Sequence, residues 1–428
     1  MLPERIRQLD VEIAGQARGQ LLHHSVYEFR YLAPQAPQPW VGLLMPPQTP
    51  TYQAGDLFPV MDQNLPEGDL FMRLRQRYPK QPLSAMHLLA LAGRNGIGRL
   101  GFCLPGGTAP AAPAVISRQT LLATRYSPAV FDDLVQAYLS TGAGIAGMQP
   151  KIMVPDRPTI PVPRLIVKAG SPAYPGLAAN EYLCLSAAQR AGIATPLFDL
   201  SHDGQMLVLD RFDLQADGRR LGFEDMAALM GLRVRDVLSD RKYQGSYARI
   251  AEVLKMLRLP AENLARFFEQ VAFTVMVRNG DGHLKNYGVL YGGGDGPGHP
   301  DGDALDDPQG NARLSPMFDV VTTAIYRYTR FAGGPELEDR TLALKLVGGR
   351  HPTRAYPDTG QLLAFGRDVC AVLRPAAVVQ RIAQGMSETL AAAKGDARLP
   401  SDTLSAMAAC WELGMAHALD SRVRNAAS

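Results

Sequence analysis

The sequence predicts an α+β fold in which a strand-rich amino-terminal half is followed by a mainly helical carboxy-terminal half. Residues 1–110 contain strand-like runs such as "VEIAGQARGQLL" and short helical runs such as "SAMHLLALAGRNG". Residues 111–222 alternate β-rich runs, including "KIMVP" and "RLIVKAG", with the amphipathic stretch "AANEYLCLSAAQRAG". Residues 223–428 have the apolar spacing of helices, as in "EDMAALMGL" and "NLARFFEQVAFTVMVRNG". We therefore expect a small α+β subdomain, a strand-rich lobe and a helical lobe with these bounds.

The composition is that of an ordinary globular protein and argues against several classes of function. Of the 428 residues, 46% are hydrophobic and 20% are charged. A net charge of +3, with no helix-turn-helix pattern, argues against direct binding of DNA. The amino terminus is charged where a signal peptide is apolar, and no run approaches the roughly 18 apolar residues of a membrane span. The four cysteines are widely spaced, which suits a reducing compartment, so we expect a cytoplasmic protein without membrane partners.

Two segments have compositions that do not support packed elements. Residues 105–115, "PGGTAPAAPAV", are rich in proline and alanine and predict a linker. Residues 291–313 are rich in glycine, proline and acidic residues, which predicts a surface loop. Neither segment indicates a function.

A glycine-rich stretch, "GAGIAGMQPK", carries the spacing G-x-G-x-x-G at Gly142, Gly144 and Gly147. The same spacing occurs in dinucleotide-binding folds and in the loop that covers ATP in kinases. A dinucleotide site needs a strand before the first glycine and a helix after the third. Here a helical stretch precedes the motif and the strand-like "MQPKIMV" follows it. This context favours a phosphate-covering loop, and a purely structural glycine turn is the alternative.

A second polar cluster, "NGDGHLKN", lies between an apolar helix and a short apolar strand. It contains Asp281, His283, Lys285 and Asn286, which we predict to be functional. Phosphoryl transfer needs a carboxylate to accept the hydroxyl proton, a cation near the phosphate and an amide oxygen on a metal. Asp281, Lys285 and Asn286 supply these three groups in six residues. The alternative is a polar turn capped by Asp and Asn side chains.

Three further residues extend this interpretation. Asp319 follows an aromatic residue in the β-prone stretch "LSPMFDVVTT", downstream of the 281–286 cluster, a setting typical of a metal-binding aspartate; a capping aspartate at a strand end is the alternative. Two carboxylates, from Asp281 and Asp319, and the amide of Asn286 would offer Mg²⁺ the oxygen ligands that this ion prefers, with ATP phosphates and water completing the shell. Lys168 ends a strand-like run and could contact nucleotide phosphates while pairing with Glu181 on the next helix; an exposed edge lysine is the alternative. The order of loop, lysine, glutamate, catalytic Asp/Asn and metal Asp is that of a two-lobed protein-kinase-like fold.

Over almost its whole length the sequence resembles the HipA family, serine/threonine kinases of bacterial toxin–antitoxin modules. The resemblance is carried by "GAGIAGMQPK", "NEYLCLSAAQRAGI", "LVLDRFD", "EDMAALMGL", "RKYQGSY", "NGDGHLKN" and "LSPMFDV", and by "LPEGDLFMRL" in the amino-terminal part. It implies ATP and Mg²⁺ as cofactors, with Asp281 as the catalytic base and Asn286 and Asp319 as metal ligands. The implied nucleotide-binding residues, including the glycine loop and the hinge strand, are Gly144, Gly147, Gln149, Lys151, Lys168, Glu181, Leu209, Asp210 and Phe212.

The resemblance also implies a target and a partner. Family members phosphorylate an aminoacyl-tRNA synthetase, typically the glutamyl enzyme, which stops translation and makes the cell persistent. Their usual partner is a small helix-turn-helix antitoxin, through which they reach operator DNA indirectly. This sequence departs from the family at Gly144 and Ala146, where loop serines accept phosphate in other members. A regulatory protein that keeps the fold without turnover is therefore the alternative to a toxin kinase.

Overall fold

The structure, a computed structural model, describes most of the 428-residue chain. All structural statements below concern the described residues, which are 3–33, 39–107, 115–140, 151–156, 162–170, 174–234, 236–292, 312–329, 334–349 and 353–419. Helices and strands are mixed throughout this part of the chain, which confirms the predicted α+β class. The predicted linker and surface loop fall largely outside it, at residues 108–114 and 293–311.

The strands in chain order are β1 (Gln8–Ile13), β2 (Gln16–His23), β3 (Tyr27–Tyr31), β4 (Thr51–Ala54), β5 (Leu100–Cys103), β6 (Lys151–Val154), β7 (Leu165–Ala169), β8 (Phe198–Leu200), β9 (Met206–Asp210), β10 (Gly222–Asp225), β11 (Gly288–Tyr291), β12 (Arg313–Leu314), β13 (Arg327–Tyr328) and β14 (Leu337–Glu338). The α-helices are α1 (Pro59–Asp62), α2 (Gly68–Arg77), α3 (Ala85–Ala92), α4 (Arg118–Ala123), α5 (Pro128–Ser140), α6 (Leu177–Arg190), α7 (Met226–Leu229), α8 (Tyr247–Met256), α9 (Glu262–Met276), α10 (Thr359–Ala364), α11 (Pro375–Ala393) and α12 (Ser401–Leu419).

The chain forms two compact units, each composed of three segments. Unit 1 consists of Met1–Ala169, Val208–Arg241 and Gly288–Arg313. Unit 2 consists of Gly170–Leu207, Lys242–Tyr287 and Leu314–Ser428. One of the five boundaries falls inside β9, between Leu207 and Val208, and another falls between Tyr287 and Gly288, one residue after the "NGDGHLKN" cluster. The three-part division expected from the sequence stays a prediction.

Unit 1 begins with an antiparallel sheet of order β4-β3-β2-β1-β5. Alternate residues of β1 are buried, namely Leu9, Val11 and Ile13, as expected for a strand with one face on a core. A Cβ at Gly19 would overlap the ring of Phe29 on the neighbouring strand, so glycine gives this ring its place in the core. The expected strands and helices of the amino-terminal part are confirmed.

A buried ion pair anchors the segment after β9 within unit 1. The guanidinium of Arg211 donates to both carboxylate oxygens of Asp213, at 3.0 and 2.6 Å, and neither side chain is exposed. Arg211 also donates to the carbonyl oxygens of Asn95 (2.9 Å) and Gly96 (2.7 Å), and Asp213 accepts from the backbone N–H of Gly98 at 2.6 Å. These bonds join the residues after β9 to the loop before β5.

Unit 2 is mainly helical, and its helices pack closely where glycines permit it. A Cβ at Gly385 of α11 would lie 2.7 Å from the backbone nitrogen of Ala191, just after α6. A Cβ at Gly414 of α12 would overlap the carbonyl group of Met276, the last residue of α9. The two close approaches hold α11 against α6 and α12 against the end of α9. The polar cluster begins directly after that end.

Two details differ from the expectations. "EDMAALMGL" begins as strand β10, which pairs antiparallel with β11, before the short helix α7. Beyond β12, which ends at Leu314, residues 315–322 around Asp319 form no strand; Asp319 has a left-handed backbone (φ +55°), which a pleated strand does not accommodate. All four cysteines carry free thiols. Within the described part of the chain, no helix has the length and apolar character needed to cross a bilayer.

Candidate active site

The polar cluster starts at a helix end with a specific geometry. The N–H groups of Arg278 and Asn279 donate to the carbonyls of Val275 (3.3 Å) and Thr274 (3.0 Å), which is the Schellman arrangement. The left-handed residue of this motif is normally glycine, but here it is Arg278, with φ +58°. Such a residue costs about 1 kcal/mol or more. The guanidinium carbon of Arg278 lies 4.5 Å from the ring centre of Tyr356, a cation–π contact that offsets this cost.

Gly280 lies in the turn that follows this helix end, where the backbone packs closely against Asp339. A Cβ at this position would overlap the carboxylate of Asp339, so no other residue fits without a shift. The N–H of Gly280 donates to the hydroxyl of Thr323 at 2.6 Å, and that hydroxyl donates to the carbonyl of Arg278 at 3.2 Å. Burial raises the pKa of Asp339, and the nearby charge of Asp281 raises it further. The loop therefore brings a second carboxylate close to the predicted base.

Asp281 lies at the surface of unit 2 and is held by a hydrogen bond. Its side chain is 52% exposed, and its Oδ1 accepts a bond of 2.7 Å from the hydroxyl of Tyr243. The Nε2 of His283 lies 4.0 Å from the same oxygen. The His283 ring is buried and meets the Tyr243 ring edge-on, with centroids 5.3 Å apart. The structure thus brings together two predicted catalytic residues and one that was not predicted.

Asn286 and Asp319, the predicted metal ligands, lie side by side. The Nδ2 of Asn286 donates to Oδ2 of Asp319 at 3.3 Å. The Oδ1 of Asn286 accepts from the backbone N–H of His283 at 3.0 Å, which fixes the orientation of the amide. Lys285 lies between His283 and Asn286 in the chain. It is half-buried and belongs to the 3₁₀ turn Leu284–Asn286.

The segment that carries Asp319 is fastened on two sides. Thr322 exchanges hydrogen bonds with the amide of Asn180 on α6, at 3.1 and 2.8 Å. Its hydroxyl accepts a bond of 2.8 Å from the indole of Trp411 on α12. Because both helices belong to the core of unit 2, the left-handed turn at Asp319 is held in place. Strained backbone of this kind is common at functional sites.

The donor set fits a magnesium ion that is shared with phosphates. Asp319 supplies a carboxylate and Asn286 an amide oxygen, which are hard oxygen ligands of the type that Mg²⁺ uses; the 3.3 Å contact between them runs from the amide nitrogen, and the amide oxygen accepts from the N–H of His283. The described residues contain no cluster of three or more His, Cys, Asp or Glu side chains that could hold a metal alone. Mg²⁺ is usually held by one or two carboxylates together with substrate phosphates. Asn286 and Asp319 could therefore hold the ion when a nucleotide is bound.

Two lysines of unit 1 lie directly opposite each other on neighbouring strands. Lys151 of β6 pairs in register with Lys168 of β7, and both side chains are buried. Residues opposite each other in an antiparallel pair project from the same face of the sheet. The two lysine side chains therefore lie next to each other on one face of the β6–β7 pair.

The three predicted hinge residues also lie in unit 1. Leu209 is buried in β9, and Phe212 meets Phe223 edge-on with centroids 5.3 Å apart. The carboxylate of Asp210 pairs with the guanidinium groups of Arg118 and Arg164. Since arginines engage this carboxylate, nucleotide contact at Asp210 would come from the backbone.

The remaining predicted residues are placed as follows. Glu181 is fully buried in α6 of unit 2, whereas Lys168 belongs to unit 1, and their pairing stays a prediction. Gly144, Gly147 and Gln149 lie outside the described residues. The strand predicted after this glycine loop is confirmed, because β6 begins at Lys151, and α5 confirms the helix predicted before it.

Sequence reasoning missed two residues that touch this site, Tyr243 and Asp339. Tyr243 lies 38 positions before Asp281, in "RKYQGSY", a string that contributed only to the family resemblance. A hydroxyl-bearing aromatic residue beside a glycine-serine turn was the one available signal. Asp339 lies in "LEDRTLAL", among exposed ion pairs, and nothing in that pattern points to the site.

Comparison with known proteins gives matches along most of the chain. The family described as HipA-like C-terminal domain matches residues 143–394, and the one described as HipA N-terminal domain matches residues 9–103. Two curated relatives come from Sinorhizobium fredii (strain NBRC 101917 / NGR234). "Putative kinase Y4dM" is 31% identical over 176 residues, and "Putative kinase Y4mE" is 24% identical over 241 residues. These matches cover 38% and 53% of this chain and span only 38% and 50% of the relatives' lengths.

A solved structure shares the fold over nearly the entire length. It is the Shewanella oneidensis MR-1 toxin–antitoxin complex of HipA, HipB and operator DNA. The likeness has a TM-score of 0.65 and covers 96% of each chain at 18% sequence identity. It confirms the predicted α+β, kinase-like fold.

Proposed function

The chain belongs to the HipA family, and from that premise we propose that it is an ATP- and Mg²⁺-dependent serine/threonine protein kinase. The observation that carries this proposal is the arrangement of unit 2. Asp281 is held by Tyr243 at 2.7 Å, while Asn286 and Asp319, from two separate segments, lie 3.3 Å apart. A polar turn that served only to cap a helix would not need the second segment.

In the proposed reaction Asp281 acts as the general base. Its carboxylate accepts the proton of an incoming serine or threonine hydroxyl, whose oxygen bonds to the γ-phosphorus of ATP. The bond from that phosphorus to the β-phosphate oxygen breaks, and ADP leaves. Asn286 and Asp319 would hold Mg²⁺, which supplies positive charge against the phosphate oxygens when bound. Lys285 is the nearby cation, and buried His283 packs against Tyr243, which holds the base.

The nucleotide would be held by residues of the matched family region. Lys151 and Lys168 offer two ammonium groups from one face of the sheet to the phosphates. Backbone groups from Leu209 to Phe212 would meet the adenine, consistent with the engagement of the Asp210 carboxylate by arginines. Gly144, Gly147 and Gln149 would cover the phosphates, and Glu181 would orient Lys168.

We propose an aminoacyl-tRNA synthetase, with the glutamyl enzyme favoured, as the phosphorylated protein. This target is supported by the family resemblance, and its modification would stop translation, arrest growth and produce persistence. The Shewanella HipA structure contains HipB and operator DNA. By analogy, a small helix-turn-helix antitoxin would bind this chain and link it to DNA, while a synthetase target places its action in the cytoplasm.

The test is transfer of label from γ-labelled ATP with Mg²⁺ to purified aminoacyl-tRNA synthetases of the same cell. The full-length chain is compared with Asp281→Ala, and the labelled residue is mapped. Label on a serine of one synthetase, absent with the variant, is the expected result. No transfer to any synthetase or to the chain itself, while ATP still binds, would favour the regulatory protein instead.

A further inference from the structure

Asp281, the base of the proposed reaction, is about half exposed, so a specific contact is required to hold its carboxylate in one orientation. With half of the Asp281 side chain open to solvent, the carboxylate could rotate, because the last torsion of aspartate has a broad distribution. The hydroxyl of Tyr243 donates to Oδ1 at 2.7 Å, within the range of a good hydrogen bond. This bond specifies one orientation of the carboxylate plane.

Tyr243 is itself fixed from three directions. Its ring meets the buried ring of His283 edge-on, at 5.3 Å and 77°. The Nζ of Lys242 lies 5.2 Å from the ring centre, and the guanidinium of Arg354 donates to the Tyr243 carbonyl at 2.6 Å. Such contacts restrain the ring, so the hydroxyl is presented to Asp281 from a rigid support.

Oriented bases follow a general pattern in enzymes. A catalytic base is effective when a third group holds it at the correct angle, as an aspartate holds the histidine of a hydrolase triad. A neutral tyrosine hydroxyl is suited to this role, because it donates one hydrogen bond without neutralising the carboxylate as a lysine would. The chemistry of the Tyr243–Asp281 pair therefore matches its geometry.

We propose that Tyr243 is a positioning residue that orients the Asp281 carboxylate for proton transfer from the acceptor hydroxyl. This inference rests on the proposed kinase function. Tyr243 acts through Asp281, so its contribution exists only while Asp281 can act as a base. It is expected to affect the rate of transfer more than the binding of either substrate.

The experiment is a double-mutant cycle on the full-length chain under single-turnover conditions, with saturating Mg²⁺-ATP and the acceptor protein. The four proteins are the wild type, Tyr243→Phe, Asp281→Asn and the double variant. Tyr182→Phe serves as the matched control, because its hydroxyl contacts Arg398 at 3.2 Å rather than the catalytic loop. Binding of ATP and thermal unfolding are measured on each protein.

Tyr243→Phe is expected to slow transfer about 10- to 100-fold, the range for losing a hydrogen bond to a charged group. It should leave ATP affinity and the melting temperature within error, and Tyr182→Phe should match the wild type. In the Asp281→Asn background the Tyr243 substitution should have no further effect.

Three results would overturn the inference. They are a wild-type rate in Tyr243→Phe, an equal further loss in the Asp281→Asn background, or label from ATP on Tyr243 itself. The last would make Tyr243 an acceptor instead of a positioning residue. Failure of the proposed function is distinct, because the wild type itself would then transfer no phosphate.

Discussion

The amide of Asn286 and the carboxylate of Asp319 lie 3.3 Å apart although 33 positions separate them in the chain. One belongs to the turn after α9 and the other to a left-handed residue held by α6 and α12. Neither residue needs the other for secondary structure. A direct hydrogen bond holds the two side chains together, and this places both of them where the proposed Mg²⁺ site, shared with ATP, requires them.

Asp319→Asn should weaken the Mg²⁺-dependent part of ATP binding by at least about tenfold. The substitution removes a negative charge from the proposed metal site, and even groups that support metal ligands contribute about 10- to 100-fold in affinity. Titration calorimetry with Mg²⁺ and with EDTA separates this part from direct nucleotide binding. Asp368→Asn, an exposed substitution, is the control. If the affinity difference between the Mg²⁺ and EDTA titrations were the same in Asp319→Asn as in the wild type, Asp319 would be excluded as a ligand of the metal ion.

Gly280→Ala should destabilise the protein by about 1–3 kcal/mol, because the new methyl group overlaps the Asp339 carboxylate. Chemical denaturation measures this free energy of unfolding. Gly395→Ala is the matched control, since a Cβ there meets nothing within 4 Å. Combining Gly280→Ala with Asp339→Ala should cost less than the sum of the single changes. Additive losses would show that the two residues do not compete for space.

Asp213→Asn should cost about 3–5 kcal/mol of unfolding free energy. Both Arg211 and Asp213 are fully buried, so neutralising the carboxylate leaves an uncompensated guanidinium in the core. Asp217→Asn is the control, because its pair with Arg219 is about half exposed on both sides and should cost less than about 1 kcal/mol. Equal losses for the two variants, measured by urea denaturation, would contradict the role of the buried pair.

Because of Glu224, the free energy of unfolding is expected to depend on pH. It is buried in unit 1, where its Oε1 accepts bonds from the N–H of Leu43 and the hydroxyl of Tyr291. Burial raises the pKa of Glu224 from its usual 4.5 to about 7. Because the pKa is raised on folding, the stabilisation is fully present below pH 4.5 and is lost as the pH rises through 7. The expected loss is on the order of 3 kcal/mol.

Glu224→Gln should flatten this part of the stability curve, since glutamine carries no ionisable proton. The measurement is the free energy of unfolding at intervals from pH 4.5 to 8, for the wild type and the variant. Glu252→Gln, at an exposed position, should retain the wild-type slope. The same slope in Glu224→Gln as in the wild type would assign the pH dependence to another group.

The parts of this structure that are local in sequence were predictable. The apolar spacing of "NLARFFEQVAFTVM" corresponds to α9, and the run from Asp281 to Asn286 stays together because six residues cannot separate far. The strand after the glycine loop was likewise indicated by β-branched residues. For these elements the local pattern and the tertiary structure agree.

The parts that depend on tertiary packing were not predictable. The Tyr243–Asp281 bond joins residues 38 positions apart, and the Gly280–Asp339 contact joins a different pair of loops. The left-handed backbone of Arg278 and Asp319 has no sequence signal, because glycine is the residue normally expected there. It was the β-branched residues after Asp319 that made its segment resemble a strand.

Asp281 is proposed to serve as the base of a phosphoryl transfer from ATP. The most direct measurement is the single-turnover rate of ADP formation with a saturating acceptor protein, for the wild type and Asp281→Asn, with ATP affinity measured on the same samples. The rate in the variant is expected to be lower by about two to four orders of magnitude, with ATP affinity changed by less than about threefold. Equal rates in the two proteins would contradict this proposal.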